Sequence, residues 1–176
     1  LPDGWHYLPD SNDFKDNVLT DESRTILGFD QEQWLSDTLE KNSSRGATWQ
    51  VLGQQVLMGK LRFPILTDDQ INWDHVSEEG RSSLGMMQIL AQDELPLNLD
   101  NWDGYSACRD RVFLSLEKYA KNPIVLSGDS HNAWAFNLKN NNGEPVGIEI
   151  GAPGITSPGL EKVLPVEPSV MAQSMR

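Results

Sequence analysis

The stretch PIVLSGDSHNAWAFNL, residues 123–138, decides how the rest of the chain is read. Its first five residues form a short apolar run and read as a buried strand. The run stops at Gly128-Asp129-Ser130-His131. Residues 133–138 then resume an apolar pattern that pairs with residues 146–150 as a hairpin, turning at 140–143. Loops at the carboxyl ends of strands are where α/β sheets usually bind ligands. Asp129 and His131 are two residues apart, so in an extended segment their side chains project to one side. A carboxylate and an imidazole converging there suit one or two metal ions. The same four residues also read as a strand end with an Asp turn and a surface histidine.

Working upstream, Val112, Leu116, Tyr119 and Ala120 form a helical stripe, which predicts a helix over 106–120, capped by Asp103 or Ser106 and ended by Asn122-Pro123. Another helix is predicted over 31–41, with Asp30 as N-cap, Gln33 completing a capping box and Phe29 stapled onto Trp34. Its apolar face carries Trp34, Leu35, Thr38 and Leu39. Residues 47–58 read as a strand interrupted at Gly53, with Trp49 in the core and with Gln54 and Gln55 satisfying backbone groups. Residues 59–101 are loop-rich, with a short helix over 81–90. Residues 1–22 read as irregular, 23–164 as the folded region, and 165–176 as a tail. The expected class is α/β, with few strands for a complete sheet.

Composition narrows the function. The chain has 176 residues and a net charge of −12, with a mean hydropathy of −0.46. Such acidity argues against nucleic-acid backbone binding, which needs clustered Lys and Arg. It also repels phosphate substrates unless bound cations reverse the local field. No apolar run approaches a membrane span, and no signal-peptide pattern opens the sequence. The lone cysteine, Cys108, falls in a predicted helix and reads as a small buried apolar residue. His6 and His75 lack partners at metal-ligand spacing.

Four segments in order carry a resemblance: residues 23–58, ending in the GQQV strand; DNWDGYSACRDRVFLSL at 100–116; IVLSGDSHNAWAFNL at 124–138; and IEIGAPGITSPG at 148–159. Together they resemble the alkaline phosphatase D (PhoD-type) metallophosphoesterase family. The resemblance implies part of a metallophosphoesterase-like layered α/β sandwich, incomplete at its N-terminal side. It implies hydrolysis of phosphate mono- and diesters at a multi-metal site of iron with calcium, in an exported, periplasmic or secreted enzyme. Asp129 and His131 map onto the family's Gly-Asp-x-His pair as metal ligands, with His131 also catalytic. Trp102, Tyr105, Arg109 and Asn132 map as residues that contact substrate or support the site, Arg109 being suited to grip phosphate bidentately. Trp102 and Tyr105 equally read as anchors for the start of the following helix.

The departures matter. The family's earlier motifs, a Cys-bearing strand end, Gly-Asp-x-x-Tyr and Asp-Asp-His-Asp/Glu, are absent from the 176 residues. Two ligands cannot close a multi-metal site, so the expectation is a C-terminal piece, weakly active or inactive alone and without bound metal unless another chain completes it. An incomplete sheet would also expose an edge and apolar surface, inviting self-association. Two rival readings fit parts of the sequence: a GDSL-like serine hydrolase with Ser130 as nucleophile, and a carbohydrate- or protein-binding module using exposed tryptophans, the latter disfavoured by the core positions expected for Trp34 and Trp49.

Overall fold

A computed structural model describes residues 11–71, 73–76 and 78–159. His6, Leu164 and the 165–176 tail lie outside the described residues. The chain divides into two compact units, one of residues 1–21, 61–97 and 161–176 and one of residues 22–60 and 98–160. Among the described residues, four α-helices occur in chain order: α1 Ser11–Phe14, α2 Phe29–Ser44, α3 Glu78–Gln92 and α4 Ser106–Tyr119. The strands are β1 Gln50–Gly53, β2 Pro123–Ser127, β3 Trp134–Lys139 and β4 Pro145–Gly151.

The regular elements described in the first unit are helical. Residues 11–19, expected to be irregular, instead form α1 followed by a π-helical turn, Lys15–Leu19. Long-range bonds outweigh the local breakers there: Ser11 Oγ donates to Asp93 (2.6 Å) and Lys15 Nζ to the Asp93 carbonyl (2.9 Å). Leu19, Leu61, Leu66, Ile71, Leu84, Ala91 and Leu95 are its buried apolar residues. Thr67 and Gln70 form a capping box at a 3-10 turn. α3 extends beyond the expected 81–90 at both ends.

The second unit is α/β, as the sequence implied. Its sheet has the order β1-β2-β4-β3, with β1, β2 and β4 parallel and β3 antiparallel to β4. β2 and the β3–β4 hairpin lie where the pattern placed them, and Gly143 turns the hairpin with φ 81°. β4 inserts between β2 and β3, so the loop after β2 must cross from β2 to the far edge. One sheet face packs on α2 and α4 through Leu35, Leu39, Val112, Phe113, Leu116, Val125 and Leu138.

Several local expectations fail for clear reasons. α2 starts at Phe29 with Gly28 as N-cap and no side-chain cap, so Asp30 lies inside the first turn. There its charge favours the helix dipole rather than capping. Gly28 has φ 83°, a conformation open to glycine, which is why the start moved upstream. Trp34 is 61% exposed and Trp49 62% exposed, so neither is the core residue expected and both are available at the surface. The core of α2 is its Leu35–Leu39 stripe, one step away from Trp34. β1 ends at Gly53 rather than bulging there and continuing to Met58. α4 has Tyr105 at its N-cap position with no side-chain cap, because Asp103 pairs elsewhere.

A strained strand-end loop and its supports

The carboxyl ends of β1, β2 and β4 fall on one side of the sheet, where β3 begins. Three loops meet there. Gly128 N–H donates to the Gln55 carbonyl (3.0 Å), Ala152 N–H to Ser127 (2.9 Å) and Gly154 N–H to His131 (3.0 Å). Gln54 N–H completes the join to β2 through the Leu126 carbonyl (3.0 Å).

Asp129 and His131 have φ values of 66° and 63°. Left-handed backbone is costly for residues with a Cβ, although Asp and His tolerate it better than most. Ser130 N–H donates back to the Gly128 carbonyl at 2.8 Å, which makes Asp129 the centre of a three-residue turn of the rare positive-φ kind. Such strain persists only where the surroundings enforce it, and it concentrates at functional sites. Both side chains are exposed. The turn replaces the extended segment expected from the sequence, so the two-residue spacing does not by itself put the two side chains on one side.

The His131 ring is oriented. Its Nδ1 lies 3.0 Å from the Pro158 carbonyl oxygen. A carbonyl only accepts, so neutral His131 carries its proton on Nδ1 and keeps a lone pair on Nε2. A backbone carbonyl on the far nitrogen is the arrangement typical of metal-binding histidines. The loop after β4 therefore holds His131 at both its ring and its main-chain carbonyl. Ser130 Oγ accepts from Trp134 Nε1 (2.8 Å) and lies 3.4 Å from the Asn132 carbonyl. Asn132 itself is half-buried.

The Trp-Asp-Gly-Tyr segment turns inward. Trp102 is 1% exposed, and its Nε1 donates to Gln54 Oε1 at 2.9 Å. Arg109, 3% exposed, pairs with Asp103 at 2.7 Å and donates to the Met58 carbonyl at 3.3 Å. Tyr105 is half-buried beneath the Arg24 guanidinium, 4.8 Å from its ring centroid. A Cβ on Gly104 would lie 2.0 Å from the Leu99 carbonyl oxygen, so this turn admits only glycine. These residues hold the loop after β1 and the start of α4. Trp102 and Arg109 are buried, whereas the Asp129 and His131 side chains are exposed.

Glu149 was not foreseen. It is fully buried, and its carboxylate accepts from Met58 N–H (2.8 Å), Gly59 N–H (2.7 Å) and Gln54 Nε2 (3.4 Å). The signal available was a single acidic residue at a core position of the alternating strand 146–151. The Gln54 amide satisfies backbone groups as expected, bonding both to the N–H and to the carbonyl of Val56; at Gln55 it is the main-chain carbonyl, not the amide, that takes the Gly128 N–H.

Cys108 is buried and unreactive in character. Burial pushes its thiol above the ordinary range, and Sγ donates to Glu32 at 3.1 Å. Burial opposes charge on Glu32 too, but hydrogen bonds from Arg111, Thr25 and Cys108 outweigh it and hold the carboxyl at about 2. This cluster ties α2 to α4.

Similarity to known proteins agrees with the motif pattern. The PhoD-like phosphatase family profile matches residues 6–175. This chain belongs to that family. Alkaline phosphatase D of Bacillus subtilis (strain 168) is 33% identical over 142 residues, covering 78% of the chain and 19% of that relative. The chain thus spans about a fifth of the length of the curated relative it matches. No solved structure matches the chain. Among the described residues, no three His, Cys, Asp or Glu side chains group closely enough to hold a metal ion. Nor is any helix long and apolar enough to cross a membrane.

Proposed function

We propose that this chain contributes the Asp129 and His131 donors to the metal centre of a phosphate-ester hydrolase, and that polypeptide beyond these residues supplies the other ligands. The supporting observation is the bond from His131 Nδ1 to Pro158, which leaves Nε2 as the free donor atom of an exposed ring, two residues from an exposed Asp129. An imidazole and a carboxylate suit the iron and calcium of the resemblance in kind, but two donors are too few to close a site. When bound, such ions polarise phosphoryl oxygens and offset the charge that builds in the transition state. The chain's own part is to hold the two donors in a strained turn that cannot relax while three loops grip it. Alone it is weakly active or inactive. Arg109 acts by holding the Met58 carbonyl rather than by gripping phosphate. Tyr105 and Asn132 border the supports, and the parent enzyme works in the periplasm or outside the cell.

The apolar sheet face opposite α2 and α4 extends this reading to partners. In the isolated chain it drives self-association; light scattering giving only a monomer mass would refute that part. The main test is elemental analysis of the purified chain, together with bis-p-nitrophenyl phosphate turnover in added iron and calcium. Expected are substoichiometric metal that is lost in Asp129→Ala and His131→Ala, and turnover near background. A full metal complement that survives both substitutions would sink the assignment.

A further inference from the structure

Four segments separated in sequence meet in one buried hydrogen-bond network. Glu149, on β4, faces the covered side of the sheet in register with Val125 of β2 and Phe136 of β3. Its two carboxylate oxygens accept the backbone N–H groups of Met58 and Gly59, and one of them also accepts from Gln54 Nε2. Gln54 Oε1 accepts from Trp102 Nε1 and from the Val56 N–H. The adjoining Gln55 carbonyl takes the Gly128 N–H, one residue before Asp129. A carboxylate is the one side-chain group that can accept two separate backbone N–H donors and an amide with no donor of its own to satisfy. That explains an acidic residue at a fully buried strand position. A Leu or Val would pack against Val125, but it would leave two buried N–H groups unpaired.

We propose that Glu149 is a positioning residue for the Asp129–His131 turn. It fixes the loop after β1, and that loop fixes Gly128. The inference rests on the reading of Asp129 and His131 as metal donors for its purpose, but not for its geometry. Its path runs through Gln54 and Gln55, so Trp102 acts in the same way from the other side of the loop.

The test uses the whole 176-residue chain. In Glu149→Gln the amide keeps one acceptor and turns a donor toward a backbone N–H, so the loop after β1 must shift. The readout is the ring tautomer of neutral His131, measured from its nitrogen chemical shifts, alongside Mn2+ affinity. Wild type should show the Nδ1–H form. In Glu149→Gln the share of that form should fall at least about twofold, toward the Nε2–H preference of free histidine, and Mn2+ binding should weaken about tenfold. Leu116→Ala, a core change outside the network, lowers stability but should leave both readouts unchanged at temperatures where it stays folded. If Glu149→Gln does not fold, Gln54→Met breaks the same path at a half-buried position and should shift the tautomer in the same direction. A wild-type tautomer in whichever of these variants folds overturns the proposal. A wild type that holds the Nδ1–H form but binds no Mn2+ overturns the metal reading and leaves the positioning role standing.

Discussion

The two faces of the four-stranded sheet follow opposite rules. On one, Leu52, Val125, Glu149 and Phe136 lie in a single register row, and Val125 and Glu149 are fully buried in that row. On the other, Val51, Ile124 and Ile148 share a row, Leu126 and Ile150 the next, and Val51, Leu126, Ile148 and Ile150 are exposed. No charged side chain interrupts these two rows. Parallel strands are ordinarily covered on both sides, and an uncharged apolar row left in water signals a missing layer rather than a solvated face. The difference separates contacts that are complete within the described residues from a face that they leave exposed. The same division holds at the proposed site, where the loops around Asp129 and His131 are bonded inside the chain but the ligand set proposed for them is not complete.

The largest effect that tests this contrast comes from the covered face. Leu116→Ala removes a buried side chain packed between α2 and the sheet and should cost about 3 kcal/mol of unfolding free energy. The matched change on the other face, Ile148→Ala, should cost less than about 0.5 kcal/mol in dilute monomer, because the side chain is exposed. Urea titrations of both variants measure the difference. Comparable losses would mean that the bare face is packed in solution, and the contrast would collapse.

Much of this was legible in the sequence. The 123–138 run, the hairpin and α4 follow from apolar periodicity, because each has a strong stripe and a clear stop. Glu149 was hidden because its partners are backbone groups 90 residues away, which no local pattern encodes. Trp34 misled for the opposite reason: it borders the Leu35–Leu39 stripe closely enough to be counted in it, yet the helix rotates it into water. Asp129 and His131 were singled out as candidates by residue type and spacing. The cause of their placement is a positive-φ turn enforced by three loops, and only tertiary contacts set that.

A second prediction sharpens the covered side. Arg111 donates to both Glu32 oxygens (2.6 and 2.9 Å) and to the carbonyls of Glu22 and Arg24, clamping the helical layer that hides this face. Arg111→Ala should cost about 2 kcal/mol at neutral pH by stranding a mostly buried carboxylate. The pH dependence has a definite sign. Glu32 titrates near 4.5 when unfolded and near 2 when folded, so its ionised form favours the fold. Its contribution, on the order of 3 kcal/mol at most, is complete above 4.5 and disappears as pH falls through about 2. The stability gap between wild type and Arg111→Ala should therefore narrow between those values. A gap that stays constant over that range would show that the clamp acts through the Glu22 and Arg24 carbonyls instead of the ion pair.

The smallest effect on folding should carry the clearest message about the bare face. Ile148→Lys places a charge in the centre of the apolar row, between Val51 and Ile124 on one side and Asn137 on the other. An exposed site tolerates this, so the unfolding free energy should change by no more than about 0.5 kcal/mol. Association has no such tolerance, because burying an unpaired ammonium against a second apolar surface is strongly unfavourable. Light scattering should show wild type growing in mass with concentration and Ile148→Lys remaining a monomer, with weaker binding of a hydrophobic dye. If the charged variant assembles as wild type does, the contact lies elsewhere, and the open edge of β1 becomes the surface to block, by a lysine at Trp49 or Val51. If it unfolds, the face is covered within the chain. Both results separate a sheet that needs a partner layer from one that merely tolerates exposure.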